Sequence, residues 1–300
     1  MHQGAVATSG GVAIVVGAGA GLATWAAGRS GLSPGMSATL ILASAMGLLG
    51  AIDDLRDLGA KFKLAVQALA ALLFAFLVAR IEAIPITAQL TLSLGPIGGA
   101  LGTALWLIVV SNSLNFMDGA NGLAAGAVAI ASAAFGVAAF TSGAPDLSAA
   151  ALIGAAAAGG FLPWNLSGRL FQGDAGALFS SVLLACLAVL GASVGRVPIW
   201  TAPLALLPIL TDVLLTLLAR ARRRRPLLDA HREHLYQLWL EYTGKPHSAL
   251  AWRIYALQAV CGVGAVALTR LPPEAQVIAF TVAVVVSAAS WAALRRRYFV

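Results

Sequence analysis

The chain has 300 residues, of which 60% are hydrophobic and only 10% are charged, and its mean hydropathy is +0.88. Soluble domains carry about 25% charged residues, so this composition excludes a soluble globular protein and predicts an all-α, polytopic membrane protein. The net charge of +7 does not indicate nucleic-acid binding, because the basic residues lie between apolar segments, where membrane proteins carry their topology signals.

Ten apolar segments are candidates for transmembrane helices, which need about 20 residues each. Several are rich in Ala and Gly, which allows helices to approach closely in lipid. A stretch between the third and fourth, 84–94, is predicted to form a small hairpin outside the membrane, and the whole chain, 1–300, is assigned to one membrane domain. The segments run approximately over residues 10–28, 36–52, 63–80, 98–112, 121–141, 148–164, 176–194, 198–219, 250–269 and 275–294.

An even number of helices places both chain ends on the same side of the membrane. The loops then fall into two sets, and all but four of the 19 Lys and Arg residues lie in the set that shares a side with the chain ends. Because positively charged loops stay in the cytoplasm, we expect this set of loops to be cytoplasmic.

One polar stretch interrupts the apolar pattern after the fourth segment. Asn112, Asn115 and Asp118 are spaced three residues apart, so a helical turn would place them on one face. Gly119 and Gly122 allow the backbone to turn or to approach a ligand. A carboxylate near hydrocarbon costs about 2.5–3.5 kcal/mol on insertion scales, so Asp118 needs a partner, water or a metal ion. A polar loop between two helices is the simpler alternative.

Two further motifs place carboxylates at the ends of apolar segments. The second segment ends in Asp53-Asp54-Leu55-Arg56-Asp57, whose crowded charges a divalent cation would relieve; Mg²⁺ favours one or two carboxylates together with phosphate oxygens. Asp174, at the start of the seventh segment, could hold a metal where the free N–H groups of a helix start face phosphate. The structural alternatives are an ion pair between Asp53 and Arg56 and an N-cap role for Asp174.

A basic loop follows the eighth segment and contains the run 222–225 of four arginines, then His231, Arg232 and His234. The arginines favour one membrane orientation and contact with anionic headgroups. The two histidines could share a helical face that binds metal or phosphate, although a solvated pair is the simpler alternative. Asp212, in the eighth segment, is predicted to pair with the nearby arginines.

The conjunction of these motifs is more informative than any of them alone. Four separate loops carry them, and the predicted topology brings all four to the cytoplasmic face. Phosphoryl transfer depends mainly on positioning and charge neutralisation, so carboxylates, amides and basic side chains are the groups that it needs. The sequence therefore predicts a Mg²⁺ and phosphate site.

In their order along the chain, the motifs resemble those of the polyprenyl-phosphate N-acetylhexosamine-1-phosphate transferases, a superfamily within glycosyltransferase family 4. It includes undecaprenyl-phosphate GlcNAc-1-phosphate transferases and the phospho-MurNAc-pentapeptide translocase of peptidoglycan synthesis. The matching residues are Asp53-Asp54, Lys61-x-Lys63 with Gln67, Asn112-x-x-Asn115-x-x-Asp118-Gly119-x-x-Gly122-Leu123, Phe161-x-x-x-Asn165, Gly173-Asp174-x-Gly176 and the histidine loop.

The resemblance implies that the phosphate of a polyprenyl phosphate attacks the sugar-linked phosphorus of a UDP-N-acetylhexosamine and releases UMP. Direct attack is favoured over a covalent Asp intermediate, because a phosphate monoester needs no stronger nucleophile. The implied cofactor is Mg²⁺, with Mn²⁺ as an alternative. The implied location is the bacterial cytoplasmic membrane, with the active site facing the cytoplasm, and a homodimer is left open.

The same resemblance implies a role for each matching residue. Asp53, Asp54 and Asp174 are the implied catalytic residues, and Asp118 and Asp174 are the implied metal ligands. The implied substrate-binding residues are Lys61, Asn112, Asn115, Asn121, Asn165, His231, Arg232 and His234.

The chain departs from the family pattern at three places. Asn121 replaces the usual second Asp of Asp-Gly-x-x-Gly, which removes one charge from the metal or nucleotide site. The reduced histidine motif, 231–237, resembles the branch that starts O-antigen, other lipopolysaccharide or exopolysaccharide chains, and it leaves the sugar open among GlcNAc, QuiNAc, FucNAc and related UDP-sugars. His2 and Gly10-Gly11 resemble a loop that follows one more helix in the family, so an untruncated chain would have eleven helices.

Two other functions account for parts of the pattern. An intramembrane prenyltransferase would use Asp53-Asp54-x-x-Asp57 with Mg²⁺ to bind a diphosphate, but it needs a second aspartate-rich turn and leaves Asp174 unexplained. A cation-coupled transporter would place its acidic residues near the middle of the bilayer, whereas here they lie at predicted helix ends.

Overall fold

A computed structural model describes residues 10–29, 31–229 and 231–298, and most of these residues are helical. A short antiparallel sheet pairs β1 (Ala83–Pro85) with β2 (Thr91–Ser93), so the predicted hairpin is present. The helices in chain order are α1 (Gly10–Ala27), α2 (Pro34–Arg56), α3 (Ala60–Leu77), α4 (Gly95–Phe116), α5 (Leu123–Thr141), α6 (Pro145–Leu166), α7 (Gly173–Ser193), α8 (Thr201–Ala205), α9 (Leu207–Arg222), α10 (Leu235–Thr243), α11 (His247–Leu268) and α12 (Pro273–Tyr298).

Among the described residues, nine helices are long and apolar enough to cross a membrane, namely all except α8, α9 and α10. Helices α8 and α9 together occupy the eighth predicted segment, so all ten predicted segments are helical and the all-α membrane fold is confirmed. The expected eleventh helix and His2 lie outside the described residues.

The eighth segment is broken at Leu206 because Pro208, in the first turn of α9, has no N–H to donate and its ring crowds the preceding turn. The side-chain amide of Gln258 in α11 donates to the carbonyl oxygen of Ala205, which the break leaves without a helical partner. A backbone group in lipid must be satisfied within the protein, and this contact makes the interruption tolerable.

Helix α7 lies at the centre of the protein, where an unbroken run from Ala175 to Leu187 is buried. Helices α1, α2 and α4 pack around it, and α5 packs against α6 and α11. A Cβ at Gly50 of α2 would overlap the backbone of Asp174, so this glycine lets α2 approach the first turn of α7. The close approach brings the acidic end of α2 to the start of α7.

The polar segments meet at one end of the bundle, which we name the polar end. It contains the C-terminal ends of α2, α4, α6 and α9 and the N-terminal ends of α3, α5 and α7. Helix α10, which the sequence analysis did not predict, also lies here between α9 and α12. Large apolar side chains such as Ile41, Leu105 and Val263 are exposed along the outer helices, as expected for surfaces that face lipid.

Candidate active site

The centre of the candidate site is a cluster of charged side chains from α2, α3 and α7. Lys63 Nζ lies 2.6 Å from Asp53 Oδ2 and 2.8 Å from Asp174 Oδ2. The second oxygen of Asp53 accepts a hydrogen bond of 2.8 Å from the Leu58 N–H. Lys63 therefore offsets the repulsion between two carboxylates that the fold holds together. Asp53 pairs with this lysine, and the alternative pair with Arg56 is not among the ion pairs of the described residues.

Asp54 lies against the N-terminus of α7. Its two carboxylate oxygens accept hydrogen bonds from the N–H groups of Asp174, at 3.0 Å, and Ala175, at 3.3 Å. These N–H groups have no acceptor inside the helix and carry the partial positive charge of its start. Gly173 has a φ of +61°, and a Cβ there would overlap the Asp54 carboxylate. Asp174 is not the N-cap, which is Gln172, so the structural alternative for Asp174 is wrong.

The loop between α4 and α5 brings a third carboxylate to the cluster. Burial raises the pKa of Asp118 well above its usual range, and repulsion from Asp174 and Asp54 raises it further. Hydrogen bonds from the Gln172 side chain and the Gly173 N–H oppose this rise. Asp118 therefore lies beside the start of α7, as the sequence analysis expected from its topology.

A divalent cation fits the chemistry of this cluster. The described residues include no set of three or more His, Cys, Asp or Glu side chains arranged to hold a metal ion by themselves. The donors are nevertheless oxygens, and the mutual repulsion of Asp54, Asp118 and Asp174 favours a cation. Mg²⁺ takes one or two protein carboxylates and completes its octahedron with phosphate oxygens and water. Asp118 and Asp174 could supply those two carboxylates.

An apolar groove opens beside the cluster between α3, α4 and α9. Its cavity volume is about 270 Å³, and Lys63, Asp174, Asn112 and Asn115 line it. The Asn112 amide donates to Gln67 Oε1 at 2.6 Å, which joins α4 to α3 across the groove. The apolar wall includes Leu64, Ile108, Val109, Leu214, Leu217 and Leu227. A long apolar chain could therefore lie in the groove with a polar head at the charged cluster.

Asn165 joins two loops of the site. Its side-chain oxygen accepts from the Gly122 N–H at 2.9 Å, and its amide donates to the Leu170 carbonyl at 3.0 Å. The residue is buried, with 1% of its surface exposed. The structure thus shows a role for Asn165 in holding the Asp118 loop beside the loop before α7, and a contact of Asn165 with substrate stays a prediction.

Asn121 faces a histidine that the sequence analysis did not single out. The Asn121 N–H donates to Nδ1 of His247, the first residue of α11, at 3.2 Å. Local spacing does not indicate this contact, because 126 residues separate the two positions. The nucleotide contact assigned to Asn121 stays a prediction.

The histidine loop lies over the end of α4. The His234 ring is 5.9 Å from the Phe116 ring and 6.0 Å from the Tyr236 ring, and the His231 ring is 4.8 Å from that of His234. Phe116 directly precedes the Asp118 loop, so the structure brings the two loops together. Arg232 is exposed on the same segment. The substrate contacts of these three basic residues stay predictions.

Both imidazoles should be neutral at pH 7. Burial lowers the pKa of His234 to about 4, and the positive charge of Arg295 contributes; burial also lowers the pKa of His231 to about 4, with repulsion from His234 and Arg220. Because an unfolded histidine titrates near 6.5, the folded loop is fully stabilised above about pH 6.5 and loses that stability as the pH falls toward 4. We expect NMR titration of labelled histidines, assigned with H231Q and H234Q, to give midpoints near 4. Midpoints near 6.5 would contradict this burial.

Lys61, the predicted substrate-binding residue, and Lys63 have different environments. Lys61 is exposed on the first turn of α3, whereas Lys63 lies in the charged cluster. The spacing of Lys63 and Gln67 by four residues could have shown the difference, since it puts both on the helix face that lines the groove.

The predicted pairing of Asp212 with arginines is wrong, because its carboxylate accepts hydrogen bonds from backbone N–H groups at the start of α10.

Comparison with known proteins assigns the family. Residues 36–192 match the model of glycosyl transferase family 4, a range that contains Asp53, Asp54, Lys63, Asp118 and Asp174. A phospho-N-acetylmuramoyl-pentapeptide-transferase of Mycobacterium leprae is 34% identical over an alignment of 310 positions, gaps included. The alignment covers 86% of this chain and 82% of that protein. The chain belongs to glycosyl transferase family 4. This finding confirms the resemblance that the order of the motifs indicated.

Relatives within family 4 carry two different activities in their names. A phospho-N-acetylmuramoyl-pentapeptide-transferase of Mycolicibacterium smegmatis is 33% identical over an alignment of 304 positions, which covers 85% of this chain and 82% of that protein. A probable undecaprenyl-phosphate N-acetylglucosaminyl 1-phosphate transferase of Bacillus subtilis is 26% identical over 276 residues, covering 89% and 75%. Both names describe transfer of a phospho-sugar, so family 4 membership identifies a phospho-sugar transferase and leaves the sugar open.

Proposed function

We propose that this family 4 protein transfers an N-acetylhexosamine 1-phosphate from a UDP-sugar to a polyprenyl phosphate. The observation that carries the proposal is the position of the Asp53–Lys63–Asp174 cluster at the polar end of an apolar groove. A substrate with a long hydrocarbon tail and a phosphate head matches that arrangement. The density of Lys and Arg at the polar end supports a cytoplasmic site in a bacterial membrane.

The groove supports a specific orientation for the lipid substrate. The prenyl chain lies between α3, α4 and α9, and its phosphate meets the ammonium group of Lys63. Asp53 and Asp54 both lie in the last turn of α2. One of them accepts a proton from the lipid phosphate when that phosphate is protonated. A phosphate oxygen then attacks the sugar-linked phosphorus, the bond from that phosphorus to UMP breaks, and polyprenyl-diphospho-sugar remains in the membrane.

The nucleotide-sugar is proposed to bind between the Asp118 loop and the histidine loop. Its diphosphate needs hydrogen-bond donors and a cation, and Asp118 with Asp174 would hold Mg²⁺ there. The bound Mg²⁺ would neutralise charge that develops on the phosphate oxygens. His231, His234 and the exposed Arg232 would contact the diphosphate or the sugar, and the neutral imidazoles would donate hydrogen bonds without adding charge.

The structure disfavours the two alternative functions. Asp57, the third acid of the prenyltransferase motif, is exposed and accepts a hydrogen bond from the Gly59 N–H at 3.3 Å, and it is not among the residues that pair with Lys63. A transporter should carry its acidic residues near the middle of the bilayer, but Asp53 and Asp54 are in the last turn of the long helix α2 and Asp174 is in the first turn of α7.

The test is an assay of UMP release by the purified protein in lipid nanodiscs. The protein is incubated with undecaprenyl phosphate, Mg²⁺ or Mn²⁺, and in turn UDP-GlcNAc, UDP-QuiNAc, UDP-FucNAc and UDP-MurNAc-pentapeptide. We expect UMP only when both substrates and the cation are present. The reduced histidine motif supports a sugar that begins a surface polysaccharide, so we expect turnover of an unsubstituted N-acetylhexosamine. Absence of UMP with every sugar, in a protein that is folded, would refute the proposal.

A further inference from the structure

A buried carboxylate outside the charged cluster has no part in the proposed chemistry. Asp212 lies in α9, is buried, and accepts four hydrogen bonds. Two come from the free N–H groups at the start of α10, Leu235 at 2.7 Å and Tyr236 at 3.1 Å. The others come from Trp291 Nε1 of α12, at 3.2 Å, and the Thr216 hydroxyl, at 3.3 Å. Asp212 thus joins α9, α10 and α12.

The residue just before His234 is held by the same two long helices. The Glu233 carboxylate pairs with Arg220 of α9 and, at 3.0 Å, with Arg225. The Glu233 carbonyl accepts a hydrogen bond of 2.7 Å from Arg295 of α12. Arg220, Arg295 and Asp212 are each at least nine-tenths buried. A buried charge that loses its partner strongly destabilises the folded protein. The positions of groups that contact these three residues are therefore narrowly restricted.

His234 lies between these two sets of contacts. It follows Glu233 and precedes Leu235, and its own N–H donates to Gln237 Oε1 at 3.2 Å. Two residues after His234, the Tyr236 hydroxyl donates to the Phe116 carbonyl at 3.1 Å, next to the Asp118 loop. The position of the His234 ring over Phe116 is therefore fixed from both sides by groups that lie outside the charged cluster.

We infer that Asp212 is a positioning residue, which together with Arg220 and Arg295 fixes His234 against the Asp118 loop and so sets the efficiency with which the nucleotide-sugar is used. This inference rests on the proposed function for its kinetic consequence, but the contacts that carry it are independent of substrate. Asp212 does not touch the reacting groups. It acts through His234, and α12, which lies outside the family-matched range, becomes part of the machinery for binding the nucleotide-sugar.

The first test is Asp212→Asn, studied without substrate. The amide keeps one acceptor oxygen but presents an NH₂ group to either Leu235 or Tyr236, so one N–H at the start of α10 loses its partner. We expect faster hydrogen–deuterium exchange confined to residues 231–243. The matched control is Thr211→Val, which removes the 2.9 Å hydrogen bond between the hydroxyl groups of Thr211 in α9 and Ser287 in α12 and makes no change at α10. Unchanged exchange in D212N, or equal changes in both variants, would overturn the inference.

The second test is a double-mutant cycle on UMP release. We expect D212N to lower kcat/KM for the UDP-sugar by about 10- to 100-fold, as a misplaced contact group does, and T211V to leave it unchanged. Because Asp212 acts through His234, the D212N/H234A double variant should match H234A alone. Additive losses would show general destabilisation and would contradict the positioning role. A wild-type protein that releases no UMP would refute the proposed function, while the exchange experiment would still decide whether Asp212 holds α10.

Discussion

Asp174→Asn should lower kcat for UMP release by about 10²–10³-fold, the usual cost of losing one preorganised electrostatic contact, while the protein still folds. Asparagine keeps the shape of the side chain, and its backbone N–H can still donate a hydrogen bond to the Asp54 carboxylate. It removes the charge that pairs with Lys63 at 2.8 Å and that would share a cation with Asp118. The measurement is UMP release at saturating concentrations of both substrates, with the thermal unfolding midpoint recorded for the same sample.

Asp57→Asn is the matched control for this substitution. Asp57 is an acid of the same polar end, but it is exposed and has a φ of 44°, a conformation that asparagine adopts readily. We expect normal turnover in D57N. Normal turnover in D174N would refute the assignment of the site, and a loss in D57N as large as that in D174N would favour a diphosphate-binding aspartate-rich turn instead.

Lys63→Met should lower kcat/KM for the polyprenyl phosphate by about 10²-fold, because the lysine is both the counter-ion of two carboxylates and the proposed contact of the lipid phosphate. Without it, Asp53 and Asp174 repel each other and the incoming phosphate. We expect the KM for the lipid to rise more than the KM for the nucleotide-sugar. Initial rates measured across both substrate concentrations separate these effects.

Lys61→Met provides a control on the same turn of α3. Lys61 is exposed, so its charge is screened by water and salt, and we expect K61M to retain nearly normal kcat/KM. If K61M were the damaging variant and K63M were nearly normal, the residue chosen from sequence alone would be correct and the charged cluster would not bind the lipid phosphate.

The helices were predictable because the length of an apolar segment is a local property of the sequence. The prediction that Asp53, Asp118 and Asp174 meet at one end also succeeded, since it needs only the number of spans between them. The break at Leu206 was missed, although Pro203 and Pro208 mark it, because a run of apolar residues hides an interruption of one residue.

Details of the site were not predictable because they depend on contacts between distant residues. The choice of Lys63 over Lys61 follows from how the chain turns between α2 and α3, where Asp57 has a positive φ and α3 begins only at Ala60. The role of Asp212 depends on a helix of nine residues, α10, and on Trp291, which is 79 residues away. No pattern of local spacing indicates the contacts of Asp212, whereas the four-residue spacing of Lys63 and Gln67 does mark the face of α3 that lines the groove.

The place of α12 in the chain has a consequence for biogenesis. Near the C-terminal end of α12, Arg295 donates to the Glu233 carbonyl and Trp291 donates to Asp212, which binds the start of α10. The ribosome makes this helix after every segment that carries a carboxylate of the charged cluster. A nascent chain that has inserted α1 to α7 could already assemble Asp53, Lys63 and Asp174, yet the proposed nucleotide-sugar site would still lack the support of α12. We therefore expect partly made chains that lack α12 not to consume the proposed lipid substrate.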